Sequence, residues 1–315
     1  MAITFTSGIS FSGGIDFTTE APQNTAAWFG GGATPSTVST VQRITYATDT
    51  ATASVRGPLS SAKYLLAAVG NTTDGWFGGG YPGTVSTVQR ITYATDTATA
   101  SVRGPLSSGR RNLAAVGNTT DGWFGGGYFP NTSTVDRITY ATDTATASVR
   151  GPLSLARRNL AAVGNSDYGW FGGGQPGPVS TVDRITYATD TATASVRGPL
   201  SAVRYGLTAA GNTTEGWFGG GYTPNYPNSP TSTVDRITYA TDTATASVRG
   251  PLSSARRFLA AAGNTTDGWF GGGLPNSGFL STVDRITYAT DTATASVRGP
   301  LSSSTGYLAA VGGIQ

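Results

Sequence analysis

Residues 113–153 read LAAVGNTTDGWFGGGYFPNTSTVDRITYATDTATASVRGPL, and this stretch decides the fold. Leu113 to Val116 is a short apolar run, and Gly117 to Gly122 gathers turn-forming residues. Trp123 and Phe124 make a second short strand, stopped by Gly125, Gly126 and Gly127. A loop from Tyr128 to Thr132 follows. Val135 to Tyr140 has the β-branched and aromatic composition of a strand. Ala141 to Thr144 turns the chain. Ala145 to Val149 then alternates small apolar with hydroxyl residues at period two, until Gly151 and Pro152 end it. No 3.6-residue period lasts beyond one turn, so the unit reads as four short strands and no helix.

The unit is repeated. WFGGG recurs at Trp28, Trp76, Trp123, Trp170, Trp217 and Trp269. The segment ITYATDTATASVRGPLS is identical in six copies, beginning at Ile44, Ile91, Ile138, Ile185, Ile237 and Ile286. Four strands per roughly 47 residues, six times over, predicts an all-β fold: a six-bladed β-propeller of four-stranded antiparallel blades. The first copy begins at Ala26 without a preceding LAAVG run, whereas the last is followed by Leu308 to Gly312 with no WFGGG after it. The C-terminal strand is therefore expected to complete the first blade and remove an open sheet edge. This divides the chain into an arm, residues 1–25, and a propeller, residues 26–315. In the arm Ile3, Phe5, Ile9, Phe11, Ile15 and Phe17 alternate with small polar residues, the pattern of extended strands.

Composition narrows the chemistry. Only 12% of residues are charged, about half the usual share of roughly 25%, so the few charges should have defined places. There is no Cys and no His. That excludes disulfides, Cys/His metal centres, Ser-His-Asp and Cys-His triads and imidazole acid–base catalysis. WFGGG is followed by neither a helix nor Gly-Lys-Ser/Thr and is not a phosphate loop. NTTDG offers one carboxylate per turn, too few for calcium, and reads as an Asx turn. A carboxylate pair of glycosidase type needs two acids within about 5–9.5 Å, whereas the Asp136 type is spread around the ring. No enzyme activity and no cofactor are expected. No apolar run approaches the roughly 20 residues of a membrane helix, and MAITFTSGIS lacks a signal peptide's basic start, so neither membrane insertion nor secretion is expected.

The stretch from Arg111 to Arg157 resembles a kelch repeat: an Arg, a strand, a second strand ending in a glycine doublet, a loop, a strand ending in Tyr, and a fourth leading to Pro-Leu and the next Arg. The resemblance covers about residues 26–313. It departs where kelch has Trp on the fourth strand: Ala147 stands there, and Trp123 lies on the second. The near-identical Thr/Ala/Gly/Ser-rich blades, the lack of Cys and the β-rich arm are also similar to propeller-containing virion structural proteins of tailed bacteriophages, including those of marine cyanobacteria. That resemblance implies a virion location (tail, fibre or head surface), assembly in the host cytoplasm, and attachment to other virion proteins through residues 1–25.

Comparison of the six copies with one another locates the differences. They collect in the loop after GGG and in the link to the next unit, two sets that a four-stranded meander places on one face, while the opposite turns are near-constant. The links carry Lys63, Arg110, Arg111, Arg157, Arg158, Arg204, Arg256 and Arg257. Strand direction assigns the Arg43 and Arg56 types to the same face, so all 20 basic residues are expected there. The acids of the Asp49 and Asp74 types are expected opposite them, making an electrically polar disc that steers anions to one mouth. Aromatic residues of the loops, Tyr81, Tyr128, Phe129, Tyr222, Tyr226 and Phe279, join the basic set as candidate contacts. The same arginines would equally serve to brace one blade against the acids or carbonyls of the next. Two functions follow: a virion protein whose variable face meets an anionic host glycan or a partner protein, or a cellular lectin or protein-interaction module. Nucleic acid is not expected, since the arm lacks a basic segment.

Overall fold

The computed structural model describes residues 25–224 and 229–312. Residues 1–24 of the arm, Tyr226 and the last three residues lie outside them. Six four-stranded antiparallel sheets form the ring. In blade 3 the strands are Ala114–Gly117, Asp121–Gly125, Val135–Thr139 and Ser148–Arg150, counted from the channel outward. Their register sets Val116 against Trp123 and Trp123 against Arg137. The C-terminal strand Ala309–Val311 is the inner strand of blade 1, with Val311 opposite Trp28, so the ring closes as the repeat ends predict.

Two details differ from the sequence expectation. The third strand stops at Thr139, and Tyr140–Thr142 is a turn of 3-10 helix. This turn lays the Tyr140 ring flat on Trp76 of the preceding blade, with centroids 4.0 Å apart and planes 10° off parallel. The fourth strand is only Ser148–Arg150. Residues 143–147 instead bond to the preceding blade: Gly104 N donates to Asp143 O and Ala147 N to Pro105 O, both at 2.8 Å. A Cβ on Gly104 would stand 1.9 Å from the Ala145 carbonyl oxygen, so only glycine fits. Here lies a physical reason for the invariant segment. Its TDTATA portion in one blade is the ligand of the RGPL portion in the blade before, and a change in either must suit the other.

The core lies between blades. Trp123, Val135 and Leu153 pack with Phe171, Ile185 and Tyr187 of the next blade, and equivalent clusters recur around the ring. Each Trp is buried, stacked on the next blade's Tyr, and donates Nε1 to the next blade's Asp, as Trp123 does to Asp190 at 2.9 Å. The residue after Gly125 turns the chain off the second strand: Gly126 has φ +67 and would drive a Cβ to 2.6 Å from Arg157 O. Asn118 Oδ1 accepts from Thr120 N and Asp121 N, the expected Asx turn.

Candidate binding face

The two variable sets come together. Each link bridges to the loop of the blade it leads into: Tyr64 with Tyr81, Arg111 with Tyr128, Arg158 with Gln175, Tyr205 with Tyr222, Arg257 with Leu274, and Gly306 with Ala33. One residue further along each link stands in the left-handed region: Leu65, Asn112, Asn159, Gly206, Phe258 and Tyr307, with φ from 53 to 66. These six form a closed circle of backbone hydrogen bonds. Asn112 N donates to Leu65 O, Asn159 N to Asn112 O, Gly206 N to Asn159 O, Phe258 N to Gly206 O, Tyr307 N to Phe258 O, and Leu65 N to Tyr307 O, at 2.6–2.9 Å. The circle is a collar around one mouth of the channel. Below it the lumen is walled by successive Leu and Ala residues such as Leu113, Ala114 and Ala115, enclosing about 140 Å³. Because the collar consumes its own backbone groups, what it turns to this mouth is its side chains.

The basic residues do not form one exposed set. Arg110, Arg157, Arg204 and Arg256 are 0–1% exposed, and Lys63 is 4% exposed. Each of the four arginines reaches the third strand of the following blade and pairs with Asp136, Asp183, Asp235 or Asp284 at 2.7–3.0 Å. Phe124 O and its counterparts accept further hydrogen bonds from them. Burial lowers all four guanidinium pKa values, while the carboxylate partner opposes the shift. These five residues are therefore corrected from surface contacts to interior positions, the four arginines serving as braces. A buried cation needs a partner, and the neighbouring blade supplies it.

Lys63 departs from the pattern. Gln89 stands where blades 3 to 6 have Asp and accepts from Ser60, while Lys63 Nζ has no hydrogen-bond partner among the described residues. Burial lowers the Lys63 pKa from 10.5 to about 8. At the closing junction Thr305 takes the cation's place, and its counterpart on the third strand is again a glutamine, Gln42.

The expected electrical polarity is also corrected. Asp96 Oδ2 receives Trp28 Nε1 at 2.8 Å, Arg43 at 3.0 Å and Arg56 at 3.5 Å from the preceding blade. The same trio meets Asp143, Asp190, Asp242, Asp291 and Asp49 around the ring. Tracing strand direction missed this because the TDTATA connection folds back along the neighbouring blade and carries its Asp to those arginines. Twelve arginines are thus spent on six buried carboxylates.

Three cations remain half-exposed on the variable face: Arg111, Arg158 and Arg257. None pairs with a carboxylate among the described residues. They stack on the loop aromatics instead. Arg111 lies 4.7 Å from the Tyr81 centroid and 5.2 Å from that of Tyr128, Arg158 lies 4.4 Å from Tyr128, and Arg257 lies 4.4 Å from Tyr222. Phe129 is 67% exposed, and Phe279 packs edge-on to Tyr307. Sequence reasoning overlooked Tyr64, Tyr205 and the collar residues. Their signal was present, because they end the same variable links that drew notice only for their charge.

No family model and no curated protein matches the chain. Among solved structures it is similar to that of YjhT, with a TM-score of 0.67 at 10% identity, over 80% of this chain and 88% of that one. At that identity the likeness shows the fold alone: the chain is a six-bladed β-propeller.

Proposed function

We propose that the chain is a non-enzymatic, divergent kelch-like propeller of a virion. In this reading residues 1–25 attach it to other virion proteins, and its variable face meets the host surface or a partner protein. One observation carries the binding role. Among nearly identical blades, most of the positions that differ converge on one mouth, where they present arginine, phenol, amide and apolar groups. A spacer needs no such asymmetry. The groups on offer are those of recognition: the four acids of the Asp136 type are held inside by arginine and serine. The virion location rests on the resemblance of the repeats and arm.

The test is incorporation. A chain lacking residues 1–20 should melt like the full chain and be absent from purified particles, as counted by mass spectrometry. Normal occupancy of the truncated chain refutes the attachment role. Absence of the full chain from particles favours a cellular interaction module instead.

A further inference from the structure

We infer that the sector of the mouth between blades 3 and 4 holds the acid group of a polysaccharide. The inference rests on the reading of the variable face as the working surface and names its ligand. The triplet Arg-Arg-Asn occurs in two successive links, at 110–112 and 157–159, and in no other link. Its three residues go three ways. The first arginine is the buried brace, the second stands half-exposed on the face, and the asparagine joins the collar.

Two copies in succession put two such arginines on one tyrosine. Both guanidinium carbons lie within 5.2 Å of the Tyr128 centroid, so they are no more than about 10 Å from each other by geometry alone. Arg158 is further fixed by donating to Asn131 Oδ1 at 2.8 Å. Asn112 donates to Asn159 between them and the channel. The acids nearest in sequence to this pair's own blades, Asp136 and Asp183, are already engaged below the face by Arg110 and Arg157. Two positioned cations without a counter-charge are an anion site.

The surroundings favour a sugar acid over a nucleic acid. Tyr81 and Tyr128 already carry guanidinium groups and are not open platforms for bases. Three carboxylate-free cations on the face are few for tracking a phosphate backbone. Elsewhere on the collar, Phe258 and Tyr307 pack with centroids 4.6 Å apart and planes tilted by 34°, and offer an apolar surface to the C–H face of a pyranose. The acid is a sulfate or a uronate carboxylate, which share the planar or branched oxygens that arginine binds.

The experiment uses the full chain with three probes of matched charge: a sulfated dextran oligosaccharide, an oligoguluronate and an oligothymidylate. Binding to one or both saccharides, weakened by salt, is expected. The Arg111→Ala/Arg158→Ala variant should lose about tenfold or more in affinity, the scale for removing charge-assisted contacts. Because both side chains are half-exposed and lack ion pairs, its melting temperature should stay unchanged, and Arg111→Lys/Arg158→Lys should recover only part of the affinity. The ratio between the two saccharides tells sulfate from carboxylate. Failure of the full chain to bind either saccharide, equal or tighter binding of oligothymidylate, or full affinity in the double alanine variant overturns the inference. Host attachment separates it from the broader reading. If Tyr205→Ala abolishes attachment while saccharides do not bind, the face works with another ligand. If neither variant affects attachment, the face reading fails too.

Discussion

Arg204 of one link and Asp235 of the following blade meet at 2.7 Å, and neither side chain reaches solvent. The pair is a brace between successive blades, and Asp235 is also bound by the backbone N–H and hydroxyl of Ser201. Arg204→Ala should destabilise the protein by about 3–5 kcal/mol, the cost of leaving a buried charge alone. Denaturant melts measure it. Arg257→Ala, on the surface one link further on, should cost less than about 1 kcal/mol. Equal losses from the two would show that burial does not separate their roles.

Lys63 makes stability depend on pH. Its amine titrates at about 8 in the folded chain against an ordinary 10.5, because burial penalises the charge. Between those values the unfolded chain holds more proton than the folded one, so stability rises with pH from about 8 toward 10.5 and is lost as pH falls back through 8. Comparison with Lys63→Met isolates the effect, since the buried tyrosines titrate alike in both. The difference in unfolding free energy between wild type and variant should shift in favour of wild type across this window. A flat difference would contradict the assignment.

The same position admits a repair. Lys63→Arg with Gln89→Asp rebuilds the pair found in blades 3 to 6. Lys63→Arg alone buries a guanidinium with no carboxylate opposite it and should destabilise. The double variant should recover that loss and exceed either single by about 1–3 kcal/mol, the scale of satisfying a buried polar group. Additive behaviour in the cycle would show that the two residues do not interact.

Trp123 has two separable roles. Trp123→Ala empties an inter-blade site and should cost about 3–5 kcal/mol. Trp123→Phe keeps an aromatic against Tyr187 but removes the donor to Asp190, which retains Arg137 and Arg150. It should cost distinctly less, about 1–2 kcal/mol. Loss of a partner's binding with unchanged melting would reassign Trp123 from core to contact.

Deleting residues from Tyr307 onward removes the inner strand of blade 1 and one member of the collar. Trp28 loses the cover of Val311, its opposite number in the sheet. The soluble monomer should disappear or melt far lower. A truncated chain that melts like the whole one would mean that the ring is held without this strand.

The blade count, the strand order and the closing strand could be read from the repeat because a residue's face follows from alternation and the ends of the repeat are unequal. Which arginine of each pair lies inside could not be read from the links alone, since Arg110 and Arg111 differ only by which way an extended chain turns them. A second position settles it. The residue before Arg43 and Arg90 is Gln, whereas before Arg137, Arg184, Arg236 and Arg285 it is Asp, and Asp occurs where the preceding link carries the buried Arg. The misplaced charge polarity has another cause. The TDTATA segment has the alternation of a strand but serves as a clasp on the neighbouring blade, and its hydrogen-bond partners are about 40 residues away in sequence.

A closed circle of hydrogen bonds implies a number. The bond from Leu65 to Tyr307 joins the first link to the last, and it exists only when every intervening unit is in its place. Blades this alike have no individual identity by which a folding chain could tell a complete set from a short or long one. The collar supplies that test. A seventh copy of the unit, inserted in frame, would have to widen the circle at every left-handed residue, and a chain short by one would leave it open. The mouth is therefore a gauge of completeness as well as a surface, and the same few backbone bonds that shape it hold the molecule to six.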